Sequence, residues 1–277
     1  MREAKIVVDM IQSELLPQAI LTLTQRVHPA ADCRHMLADG QVDALHEGGV
    51  DLPAIWSQYV MDGLQRAKHP AMAHPYQSPS THGLVDMVLT DPPYLVRYRS
   101  RDGRPVLNDD TDAWLVPAFA ELYRVLRRDR FCVSFCGFTQ AERFLAVWKA
   151  AGFRVLEHLV WRKRYPSSTG FVRRYHEQAY LLAKGTPRRP PVLLPSVLEW
   201  RYTGNTLHPT QKPVGALLPL VMAFSQVGDI VLDPFAGSGS TAVAAKILGR
   251  RYIAIELDEQ YAAGARDRLR SGAYRTM

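Results

Sequence analysis

The chain has only three cysteines in 277 residues, Cys33, Cys132 and Cys136. That is too few for a disulfide framework, and a metal site is not expected. Cys132 and Cys136 fall within or just beyond the apolar run Phe131 to Phe135 and read as core thiols. No apolar stretch is long enough to span a bilayer, and the first residues, MREAKIVVDM, lack the apolar core of a signal peptide. The expectation is a cytoplasmic protein. No internal repeat is visible. Acids are in deficit: 27 Asp and Glu against 34 Lys and Arg give a net charge of +7, which favours a polyanionic partner. With 47% hydrophobic residues, the chain can bury the core of one large α/β domain with appendages.

The first informative stretch is Asp91-Pro92-Pro93-Tyr94, directly after the apolar run Val85 to Thr90. The run reads as a short buried strand, so the tetrapeptide stands where an open α/β sheet delivers a ligand site. Asp91 and Pro92 each precede a proline and are held extended, and the two prolines have no N–H. The corner therefore offers acceptors and almost no donors, with the Tyr94 ring beside it. That suits a planar group bearing an NH2. The Asp91 carboxylate takes one amine hydrogen and the Pro92 carbonyl the other, while Tyr94 stacks on the ring. A proline-rich turn closing a strand is the plain alternative, and a partner motif has to decide between them.

That partner lies at Asp229 to Thr241. A strand (Ile230, Val231, Leu232) leads into Asp233-Pro234-Phe235-Ala236-Gly237-Ser238-Gly239-Ser240-Thr241 and then a helix to about Leu248. Gly237 and Gly239 permit a tight turn and close approach of a ligand to the backbone. A nicotinamide fingerprint wants a third glycine where Ala242 stands. One strand later Tyr252 to Ile255 ends in Glu256, about twenty residues on, where an acid meets ribose hydroxyls in nucleotide-binding α/β folds. Together these describe an adenosine site without a pyrophosphate grip.

Between the two motifs the pattern alternates. Residues 97–112 read as a mobile loop with little to bury, carrying Arg97 and Arg99. Asp112 to Leu126 has the spacing of an amphipathic helix, Phe131 to Phe135 of a strand, Gln140 to Ala151 of a helix and Phe153 to Trp161 of a strand. Then, from Arg162 to Arg189, eight cations face the single acid Glu177, interleaved with Trp161, Tyr165, Phe171 and Tyr175. A solvated face is the bland reading. The mix of Arg162, Lys163, Arg164, Arg173 and Arg174 with aromatic rings is also what grips a nucleic-acid backbone and unstacked bases. Gln178 to Leu182 predicts a strand inside this segment, and residues 187–195 a loop. Ahead of all this, Arg2 to Leu23 reads as one or two amphipathic helices, Leu21 to Val27 as including a strand, Leu52 to Ala67 as a helix and residues 69–82 as a linker.

In these motifs and their order, the chain resembles the amino-group DNA methyltransferases that use S-adenosylmethionine, in the β-class arrangement with the catalytic tetrapeptide ahead of the cofactor motif. His208-Pro209-Thr210-Gln211-Lys212-Pro213, leading into a helix over Val214 to Phe224, is similar to the segment before the cofactor strand in that class. Tyr252 to Tyr261 is similar to its ending. The resemblance runs from about residue 84 to 270. It implies a Rossmann-like S-adenosylmethionine methyltransferase fold: an α/β architecture with a mostly parallel sheet, helices on both faces and a circularly permuted motif order. Residues 1–80 would be an N-terminal extension serving packing and sheet completion or, alternatively, a homodimer or DNA contact. Residues 81–277 would be the catalytic domain, with 162–206 a short target-recognition segment.

The resemblance also implies roles. Asp91, Pro92 and Pro93 would form the catalytic corner and Tyr94 would stack on a flipped base. Asp233, Phe235, Ala236, Gly237, Ser238, Gly239 and Thr241 would hold S-adenosylmethionine, with Glu256 on its ribose. Thr210 and Lys212 are candidates for its methionine carboxylate, a helix cap at Thr210 and a solvated Lys212 being the alternative. Asp32 resembles the acid that touches the cofactor adenine. Adenine N6 of double-stranded DNA is the preferred target because Asp at the first position goes with adenine in this family. Cytosine N4 and RNA are the alternatives, and a cognate restriction endonuclease is a further partner such enzymes have. Cytosine carbon-5 chemistry would need a nucleophilic cysteine, usually after proline, and none stands so. Two other classes compete: a nicotinamide dehydrogenase would leave the acceptor corner unexplained, and a non-catalytic nucleic-acid-binding protein would leave Asp91 and Glu256 unexplained.

Overall fold

A computed structural model describes residues 5–8, 83–100, 103, 105–166, 171–202 and 205–272. Eight strands form one sheet among these: β1 (Lys5–Val8), β2 (Val85–Thr90), β3 (Leu126–Phe135), β4 (Arg154–Arg162), β5 (His176–Lys184), β6 (Val197–Glu199), β7 (Ile230–Asp233) and β8 (Arg251–Glu256). Their order across the sheet is β1-β8-β7-β2-β3-β5-β4-β6. The neighbours β8, β7, β2 and β3 are parallel; β5 runs against both β3 and β4, and β1 against β8. The mostly parallel sheet agrees with the α/β architecture anticipated from the motifs. Because β4 and β6 are parallel to the central strands, all six co-directional strands end at the same edge.

Among the described residues, five helices cover the sheet: α1 (Leu115–Val125), α2 (Ala141–Ala150), α3 (Val214–Phe224), α4 (Ser240–Ile247) and α5 (Glu259–Ser271), with a 3-10 turn at Phe138–Gln140. Helix α1 buries Leu115, Ala118, Phe119, Leu122 and Val125, the spacing of one apolar stripe. Its Pro117 lies in the first turn, where no partner is lost. That stripe meets Phe144 and Trp148 of α2 on one face of the sheet, over Val88, Leu232 and Ile253. On the opposite face α3 and α4 pack over Met87, Leu89, Val231 and Ala254. Central strands covered on both sides read as continuous apolar runs, which is why β2 and β7 were legible. None of the helices among the described residues is long and apolar enough to cross a membrane.

Local pattern misled where pairing is distant. Lys5–Val8, expected within a helix from Arg2 to Leu23, is a strand hydrogen-bonded to β8 with Lys5 opposite Glu256; its Ile-Val-Val run is β-branched and suits an edge. The strand expected within Leu21 to Val27, the helix over Leu52 to Ala67, the linker and Asp32 lie outside the described residues. Strand β3 begins immediately after α1, five residues before the predicted Phe131, because the polar Leu126-Arg127-Arg128-Asp129-Arg130 hides a strand start. Strand β6 was not anticipated.

Asp86 anchors the amino ends of the central strands. Its side chain is buried, accepts from Arg127 at 2.5 Å and from the Ile230 N–H at 3.0 Å, and lies 3.4 Å from Arg130. Removing a buried carboxylate with charged partners costs about 2–3 kcal/mol. Asp86→Ala should lower the urea midpoint accordingly, and an unchanged midpoint would refute the anchoring role.

Candidate active site

The chain turns out of β2 into the acceptor corner. Thr90 donates through its hydroxyl to Asp233 Oδ1 at 3.0 Å, tying the ends of β2 and β7 together. Pro92 and Pro93 are buried. The Tyr94 ring rests on Gly137, where a Cβ would lie 3.1 Å from the tyrosine Cβ, so a side chain there would crowd the ring. Two donors already meet the Asp91 carboxylate: the Tyr94 hydroxyl on Oδ1 at 2.7 Å and the Lys212 ammonium on Oδ2. Burial pushes the Asp91 carboxyl above the usual carboxylate value, while Lys212 and the Tyr94 hydroxyl pull it back.

Lys212 was expected either at a methionine carboxylate or in solvent. Its side chain is 9% exposed, and its ammonium lies 5.4 and 5.1 Å from the Tyr94 and Phe135 ring centres. The solvated alternative is thereby overturned. Thr210 is no helix cap either: α3 starts after Pro213 without a side-chain cap, and the Thr210 N–H and hydroxyl lie 3.3 and 3.1 Å from His208 Nδ1.

Across the cleft, the glycine loop leads from β7 into α4. Gly239 has φ of 75° and caps α4, and a Cβ there would come within 2.9 Å of the Ala265 Cβ. Gly237 donates its N–H to Glu256 Oε2 at 2.7 Å, and Asp258 donates its own to Oε1 at 2.8 Å. Burial raises Glu256 to about 7 against the pull of these N–H groups. Asp233, also buried, is raised to about 6 despite bonds from Thr241, the Phe235 N–H and Thr90. The Phe235 ring packs edge-on to Trp114, centres 5.0 Å apart.

One cleft of about 1140 Å³ joins the two halves. The corner from Asp91 to Tyr94 lines it, as do Thr210 and Lys212. Its far side holds Asp233, Phe235, Ala236, Gly237, Ser238, Thr241 and Glu256. Gly239 stands behind this wall, at the helix cap. Of the cations proposed for nucleic acid, Arg174 lines the cleft, its guanidinium 3.8 Å over the Phe138 ring. Arg97, Arg99, Arg164 and Arg173 are exposed, and exposed Arg162 pairs with Glu199 at 2.6 Å. Lys163 is different: it is buried in the cleft wall against Glu177 at 2.5 Å, so it is not a surface phosphate contact. The loop expected to bury little folds round Asp109, which is buried and accepts the Tyr98 N–H at 2.6 Å.

Further cleft residues escaped the sequence reading. Trp200 donates to the Tyr165 hydroxyl at 3.1 Å, and Tyr202 packs edge-on to Tyr165. With the half-buried Lys163–Glu177 ion pair they line the same cleft as the corner. Glu177 had a signal, as the lone acid of a basic run; Trp200 and Tyr202 had none.

The sequence profile of the DNA methylase family of the N6/N4 type matches residues 85–206 and 194–267. YubD of Escherichia coli (strain K12), a candidate methylase, is 56% identical over 185 residues, 67% of this chain and 82% of its own length. The chain belongs to the N6/N4 DNA methylase family. The type II methyltransferase M2.LlaDCHI of Lactococcus lactis subsp. cremoris is 27% identical over 224 residues, 68% of this methylase and 83% of its own length. A candidate DNA modification methylase of Thermus thermophilus, solved with S-adenosyl-L-methionine, superposes with a TM-score of 0.54 at 25% identity, covering 69% of this chain and 87% of its own. This methylase is thus an S-adenosylmethionine-dependent transferase acting on an exocyclic base amine of double-stranded DNA.

Proposed function

We propose that the methylase transfers its methyl group to adenine N6 within a short recognition sequence. The observation that supports amine transfer is the pairing of an acceptor corner, Asp91 and the Pro92 carbonyl, with the Glu256 and Gly237 wall across a single cleft; adenine is preferred because Asp91 stands first in the tetrapeptide. The residues present fit the cofactor. Glu256 presents a carboxylate beside a loop kept bare by Gly237, as a ribose diol requires. The Asp233 carboxylate offers a counter-charge for an amino-acid ammonium, and Phe235 an apolar face for adenine. Bound S-adenosylmethionine supplies a methyl group already activated by its sulfonium.

The chain's own residues then have to place the amine. Asp91 and the Pro92 carbonyl accept its two hydrogens and so localise the nitrogen lone pair, and Tyr94 fixes the ring by stacking. Orientation of this kind contributes on the order of 7–11 kcal/mol at best. Lys212 favours the accepting, ionised form of Asp91 against the burial that opposes it. The base must leave the duplex to get there, and the segment 162–206, with Arg164, Arg173 and Arg174, is the natural reader of the flanking sequence. Residues 81–277 would act as the catalytic domain, with 1–80 as its extension.

Purified enzyme with tritiated S-adenosylmethionine should label unmethylated genomic DNA and leave RNA and protein unlabelled. Hydrolysis of that DNA to nucleosides should yield N6-methyladenine by mass spectrometry, and sequencing should map its sites. N4-methylcytosine instead would reassign the base, and label confined to RNA or protein would reject the reading.

A further inference from the structure

The connection between β4 and β5 is fastened at both feet to the cleft. Lys163 donates its N–H to the Tyr175 carbonyl at 2.7 Å where the strands part. Tyr165 and Pro166 line the cleft from one foot and Arg174 from the other, its guanidinium on the Phe138 ring. Past these feet, Phe171 is fully exposed and Val172 is 75% exposed. An isolated apolar side chain on a surface needs no explanation. This ring, however, stands clear of the protein in the basic segment, two residues from exposed Arg173. It is also three residues, no more than about 11 Å of extended chain, from an arginine on the cleft rim.

Cations suit the phosphates on either side of a target base, and a free phenyl ring suits the stacked bases between them. We propose that Phe171 enters the duplex at the position the target base vacates and stacks on the neighbouring pairs, holding the base in the cleft. The inference rests on the reading that the substrate base is extruded. Apolar wedges stabilise opened DNA steps in this way. Phe171 is a positioning residue: it touches the DNA left behind, not the reacting amine.

The test uses single-turnover methyl transfer on synthetic duplexes carrying the site mapped by sequencing. In one the target base is paired, and in the other it lies opposite an abasic position and leaves the stack without help. Phe171→Ala should slow transfer on the paired duplex by about tenfold or more, leave the rate on the abasic duplex and the affinity for S-adenosylmethionine unchanged, and Phe171→Trp should restore it. Equal loss on both duplexes, or none on the paired one, would overturn the proposal. If the wild-type enzyme labels no genomic DNA, so that no site can be mapped, the reading under Proposed function fails first, and this inference with it.

Discussion

Asp91→Ala should reduce kcat by about 10²–10³-fold, the usual cost of removing one oriented electrostatic group, while the Kd for S-adenosylmethionine stays within experimental error. The reasoning is spatial. Asp91 sits at the end of β2, held by Tyr94 and Lys212, whereas the wall proposed for the cofactor is built from the ends of β7 and β8. Calorimetry for binding, beside single-turnover transfer, separates the two effects; a parallel fall in both would remove Asp91 from the amine-holding role. Lys212→Met adds a second readout. Without its cation, burial acts on Asp91 with less opposition and holds the proton to higher pH. The acidic limb of the kcat profile should therefore move upward, with activity regained in alkaline buffer, an effect that general damage to the fold would not produce.

Cofactor affinity should weaken on acidification. Glu256 is raised from 4.5 to about 7 by burial, so it passes from ionised to protonated between pH 8 and pH 6. A ribose diol donates two hydrogens, which the ionised carboxylate accepts best, and affinity should fall about tenfold over that interval. The Glu256→Gln variant should bind more weakly at pH 8 and show little dependence below it. Folding stability of the unliganded protein should move the other way. A carboxyl whose folded pKa exceeds its unfolded value favours the folded state at low pH and loses that contribution as pH rises through about 7. Asp233, raised to about 6, acts in the same direction. Titration calorimetry at three pH values, set beside thermal melts, checks both signs; a pH-independent Kd would remove Glu256 from the ribose site.

What the sequence disclosed and what it hid follow from the range of the forces involved. Helix α3 was read to the residue, Val214 to Phe224, together with the motif segment that leads into it, and its apolar content and the proline before it are local features. Strands β2, β7 and β8 were equally plain as apolar runs ending in an acid or in the corner. Strand β1 was misread, since nothing in Lys5 to Val8 announces a partner at Glu256. Polar-fronted β3 and the three-residue β6 failed for the same reason. In the cleft, motif residues could be named beforehand, but their company could not. That Lys212 faces Asp91 and that Lys163 turns inward to Glu177 are outcomes of strands meeting at one edge. A run of basic letters does not say which of them points in.

The pairing of β1 with β8 also bears on how such a chain can be ordered. Residue 5 and residue 256 are direct neighbours across two strands, so the beginning and the near-end of the described chain meet at one seam. A strand's place in a sheet is set by its ladder and not by its position along the chain, so partners far apart in sequence share one edge. The amine corner and the cofactor loop are adjacent for the same reason: β2 and β7, distant in sequence, pair directly.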